Sequence, residues 1–75
     1  MTLTEKLRAS VLIETVTNVL NTAREERLPH AKASGIAEAA RLLDSDDARA
    51  VPDDEMQHLL LLYAEALHSA GAMSP

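Results

Sequence analysis

Apolar residues recur along this chain at the spacing of one face of an α-helix, in three stretches separated by two breaks. In the first stretch Ala9, Leu12, Ile13, Val16, Val19, Leu20 and Ala23 fall on one face roughly 120° wide, opposite Ser10, Glu14, Thr17 and Asn21. Thr2 followed three residues later by Glu5 fits a capping box just ahead of that face. The stretch from Val11 to Thr22 is rich in β-branched residues and so competes as a strand. Strict alternation fails where Leu12 and Ile13, then Val19 and Leu20, stand side by side, which favours the helix.

The break at Leu28-Pro29 opens a second helix, with Pro29 in the first turn where its missing N–H costs nothing. Its expected core face is Ala33, Ile36, Ala37, Ala40 and Leu43. Gly35 weakens a helix by roughly 1 kcal/mol relative to Ala, so a later start with Ser34 as N-cap competes. After the break at Asp44 to Pro52, Asp53 as N-cap with Asp54 and Glu55 gives the strongest helix start in the chain. The third core face is expected to hold Met56, Leu59, Leu60, Tyr63, Ala66, Leu67 and Ala70, with Gly71 as the helix stop. The pattern predicts one all-α domain over residues 1–75, a small three-helix bundle with helices over about 4–27, 30–44 and 53–70 and a tail at 71–75.

The leucines left over from these faces carry more information than those on them. Leu61 projects roughly 160° from the centre of the third face, and Leu62 roughly 100°. Leu3, Leu7 and Val11 form a second stripe at i, i+4 and i+8 on the far side of the first helix. Seventy-five residues containing one aromatic residue, Tyr63, and no cysteine make a small core without disulfides, for which self-association is the usual remedy. Two off-face stripes in such a chain point to a helix-on-helix interface with another protein or a second copy, giving a homodimer in the latter case. The contrary reading is that single exposed leucines are normal on soluble proteins.

Charge sharpens this picture. The formal net charge is -5, and the first 28 residues balance four acids with Lys6, Arg8, Arg24 and Arg27. The excess belongs to Asp44, Asp46, Asp47, Asp53, Asp54 and Glu55, beside a third helix with neither Lys nor Arg. Such a chain does not attract a polyanion, which argues against free nucleic acid as partner. The acids at Asp53, Asp54 and Glu55 would give charge selectivity toward a basic surface, and imitation of a phosphate backbone is one form of that. The plainer role is capping and solvation of the third helix start. No apolar run is long enough for a membrane span, and Glu5, Lys6 and Arg8 interrupt any signal-peptide core, so a cytoplasmic protein is expected.

Candidate chemistry is sparse. Absence of Cys removes thiolate metal sites, redox motifs and thiol nucleophiles, and no Gly-rich phosphate loop or nucleophile elbow is present, so the chain is not expected to be an enzyme or to carry a cofactor. Glu55 with His58, and Glu65 with His68, have the Glu-x-x-His spacing that places two metal ligands on one helix face. A metal-binding bundle is therefore the alternative function, although both pairs lie on the polar side roughly 15 Å apart along the helix. Residues 44–55 also fit a calcium-loop template at Asp44, Asp46, Val51 and Glu55, but Ala48 replaces a ligand and Arg49 the required Gly. His30-Ala31-Lys32-Ala33-Ser34-Gly35 resembles the phosphoacceptor stretch of histidine phosphotransfer bundles over about six residues, with spacing off by one or two places. That resemblance implies an exposed phosphoacceptor His30 on a helix.

Overall fold

Thr2 opens the first helix as predicted: its Oγ1 accepts a hydrogen bond from the Glu5 backbone N–H at 3.2 Å, and α1 follows over Leu3–Glu25. The computed structural model describes residues 2–72. After α1 come α2 (Pro29–Leu43), a 3-10 turn (Asp46–Ala50) and α3 (Asp53–Ala72). The architecture is the small all-α three-helix bundle expected, with the 3-10 turn as an addition.

α1 ends two residues earlier than predicted, at Glu25. A residue preceding proline is pushed into extended geometry, and Leu28 adopts φ -83°, ψ 124° before Pro29. Glu26 is extended as well, and its N–H donates back to the carbonyls of Thr22 and Ala23. α2 then starts at Pro29 rather than at the competing Ser34. Pro52, whose carbonyl accepts from Met56 N–H at 2.8 Å, sits at the N-cap of α3. Asp53 is therefore inside the first turn with Asp54 and Glu55, still at the end where the helix dipole favours acids. Gly71 does not stop α3, which continues to Ala72, and no described glycine has positive φ. Residues 73–75 of the expected tail lie outside the described residues.

The core face of α1 is as predicted: Ala9, Leu12, Val16, Leu20 and Ala23 are buried, with Ile13 and Val19 packed at its edge. α2 is turned by roughly 80° from its predicted face. Ile36 is buried and Leu43 packs against the core as expected, but the other buried residues are Lys32 and Ala39, while Ala33 and Ala37 are exposed. Gly35 explains the choice. A Cβ there would lie 2.9 Å from the Ala23 Cβ, so α2 presents its glycine to α1 and the backbones approach closely. α3 is turned by roughly 40°, burying Leu59 and Ala66 and bringing Met56, Leu62, Tyr63 and Ala70 against the core. The 3-10 turn closes one end by burying Ala48, followed by Val51.

α1 and α3 run in the same direction but out of step. Arg24 pairs with Glu65 at 3.2 Å near one end, while Glu5 and Arg8 share a groove with Ala50 near the other. α3 begins only at Asp53, so the first two turns of α1 project past it and contain no buried residue before Ala9. This stagger gives the described chain a long dimension of 47 Å against 19 and 16 Å.

Candidate interaction surfaces

The predicted stripe on α1 stands free. Leu3, Leu7 and Val11 are 74%, 58% and 62% exposed, on the overhang that α3 does not reach. Leu7, Val11 and Leu12 line a shallow groove of about 310 Å³ with Leu42 from the end of α2 and Asp47 from the 3-10 turn. Thr4, Arg8 and Thr15 complete its lining.

On α3 the expectation is half corrected. Leu61 is 63% exposed, as predicted, but Leu62 is half-buried against the core cluster and cannot belong to an outer surface. The turn of α3 that draws Leu62 inward pushes Leu60 and Leu67 outward, to 49% and 46% exposure, although periodicity assigned both to the core. Ala64 is exposed between them. The outer face of α3 is thus Leu60, Leu61, Ala64 and Leu67, with Glu65, paired to Arg24, at its edge one turn beyond Leu61.

Asp53, Asp54 and Glu55 are exposed in the first turn of α3, about two helical turns from Leu61. The metal candidates do not converge. Glu65 is turned to Arg24, and among the described residues no group of three or more His, Asp or Glu is placed to hold a metal ion. The calcium-template residues form no such group either, and Ala48, at a ligand position of the template, is buried in the core.

Lys32 is the residue that periodicity missed. It is only 1% exposed, and its Nζ donates to the carbonyls of Ala23 and Arg24 and to Ser69 Oγ, each at 2.9 Å. A buried ammonium must have every proton engaged, and here three acceptors from two helices do so. Two of them are carbonyls in the last turn of α1, where the dipole is negative and the Ala23 carbonyl has otherwise only a long 3.3 Å bond from Glu26 N–H. In the phosphotransfer resemblance this lysine belonged to the acceptor stretch; in the fold it is a tie between helix ends, and His30 is an exposed first-turn residue of α2.

Fold and surface together define a class, a small all-α three-helix unit with apolar helix faces turned outward. No family model, curated protein or solved structure matches the chain. Among the described residues no helix is long and apolar enough to cross a membrane.

Proposed function

We propose that the protein is a small acidic protein–protein interaction module, an adaptor, inhibitor or regulatory subunit acting in the cytoplasm through exposed apolar helix faces. The observation that carries this reading is the outward placement of large aliphatic side chains on two helices, with Leu3 at 74% and Leu61 at 63% exposure. Monomeric soluble proteins rarely leave contiguous apolar surface uncovered, and a chain of 75 residues has few such side chains to spare from its core. Asp53, Asp54 and Glu55 add selectivity for a partner with basic residues beside its apolar contact. The metal-binding and phosphate-mimic alternatives gain no observation of this kind.

Sedimentation of the pure chain, alone and with each protein that copurifies from the native host, tests the reading. Association, with a second copy or with a partner, should be lost in at least one of Val11→Asp and Leu61→Asp while circular dichroism and melting temperature stay close to those of the parent. A parent chain that stays monomeric and binds nothing overturns it, as does association indifferent to both substitutions.

A further inference from the structure

We infer that the outer face of α3 is a self-pairing seam, on which α3 of a second copy packs antiparallel. This rests on the interaction reading above and specifies one occupant for one of the two apolar faces.

The first support is register. Gln57, Leu60, Ala64, Leu67 and Gly71 follow the alternating three- and four-residue spacing of a heptad a/d seam, and all five are exposed. Leu61 and His68 flank that line on one side, and the exposed Glu65 between them is paired with Arg24 of the same protomer. The core of the protomer uses a neighbouring side of α3, about 100° away through Leu59 and Ala66, and leaves the seam residues exposed.

The second support is size order. Large and small residues alternate along the seam as Leu60, Ala64, Leu67, Gly71. In antiparallel pairing a positions meet d positions. A two-fold axis between residues 65 and 66 puts Leu60 over Gly71 of the second copy and Leu67 over Ala64 of the second copy, with both contacts repeated by symmetry. Each of the four layers then holds one leucine and one small residue, so the helix axes keep one separation throughout. Parallel pairing would stack leucine on leucine and glycine on glycine, leaving wide layers next to empty ones. Among the described residues nothing lies within 4 Å of where a Gly71 Cβ would stand, so packing inside the protomer does not call for a glycine there.

The third support is charge. Every α3 carries Asp53, Asp54 and Glu55 in its first turn. Parallel pairing would set the two acidic ends about 8–10 Å apart, the usual interaxial distance, which is within one Debye length. In the antiparallel register the clusters are about 35 Å apart and screened from each other. The seam is a strip about 20 Å long and one helix wide. That is smaller than the roughly 800 Å² per partner of a standard stable complex. The dimer is therefore expected to dissociate in the micromolar range and to be visible only when concentration is varied across it.

The chain contains no cysteine, so single introduced cysteines report the geometry directly. Ala64→Cys and Leu67→Cys chains, mixed in equal amounts and oxidised gently, should give the mixed 64–67 disulfide well above the half that random pairing yields. In analytical ultracentrifugation the parent should show a monomer–dimer equilibrium that Leu67→Asp or Leu60→Asp weakens at least about tenfold, with helical content retained. Val11→Asp should leave this equilibrium in place, because Val11 lies on the other helix. Disulfides formed mainly between like positions, a dimer indifferent to both leucine substitutions, or loss of the dimer in Val11→Asp would each overturn the α3 seam while leaving the interaction reading standing. A parent that remains monomeric up to millimolar concentration also overturns the seam, and the interaction reading is then decided by the separate copurified complexes.

Discussion

Lys32 and Ser69, 37 positions apart in sequence, are joined by a 2.9 Å hydrogen bond from Nζ to Oγ that ties the start of α2 to the end of α3. The same ammonium holds the Ala23 and Arg24 carbonyls, so one side chain fastens all three helices at one end of the bundle. Ile36, Ala39 and Leu59 hold the helices together without directional bonds, whereas Lys32 fixes a particular alignment of their ends.

Replacing Lys32 by Met removes three charge-assisted hydrogen bonds and leaves the buried Ala23 carbonyl without its side-chain donor. The expected cost is about 2–4 kcal/mol in urea denaturation. Ser69→Ala removes one acceptor and should cost about 1 kcal/mol. In the Lys32→Met background Ser69→Ala should cost almost nothing, because the bond it breaks is already gone. Equal effects of Ser69→Ala in both backgrounds would show that the bond does not contribute.

Gly35→Ala should destabilise, against the ordinary preference of helices for alanine. The new Cβ would lie 2.9 Å from the Ala23 Cβ, which is on a buried and rigid residue. Overpacking costs about 1–3 kcal/mol and the helix-propensity gain offsets about 1 kcal/mol of it. Adding Ala23→Gly should recover part of the lost stability by opening the same space, a coupling that thermal denaturation of the four-member cycle would measure. A rise in melting temperature in Gly35→Ala alone would mean that α1 and α2 separate easily there.

Gly71→Ala should do the opposite. Among the described residues nothing approaches the added Cβ and the backbone has no positive φ, so the substitution acts through helix propensity. A gain of about 0.4–1 kcal/mol is expected, toward the lower end because the site is in the last turn. Chemical denaturation at a fixed, low protein concentration checks this without interference from association.

Added zinc or iron(II) should leave the melting temperature unchanged, since a ligand stabilises only by binding the folded state. Glu65 is paired with Arg24 and the remaining candidates Glu55, His58 and His68 do not gather with other ligands among the described residues. A metal-dependent rise in melting temperature would revive the bundle site that the Glu-x-x-His spacing suggested.

How much of this was legible from sequence differs by helix. α1 was read correctly because its core face combines Leu, Ile and Val with a clear polar back, so only one rotation buries it well. α2 was misread because alanines occur nearly all around it. With Ala33, Ala37, Ala39 and Ala40 almost equivalent, Gly35 and Lys32 decided the rotation, and neither has a hydrophobic signature. The error in α3 came from four consecutive leucines, Leu59 to Leu62, of which a helix face can bury only some. Packing selected Leu59 and Leu62, and Leu60 went outside with Leu61. The candidate surface was therefore visible as a surplus of leucine, while the identity of the surplus residues required the tertiary arrangement.

The stagger of α1 against α3 sets how the two faces can be used together. The α1 overhang bearing Leu3, Leu7 and Val11 lies at the end where α3 begins. When two α3 helices lie head to tail, the overhangs are carried to opposite tips of the assembly and point away from each other. The proposed dimer would then be a rod with an apolar groove at each tip, and would engage both only with a target that repeats at matching intervals. For such a target the second contact would form at high effective concentration, and two weak grooves would together bind strongly and with selectivity for spacing.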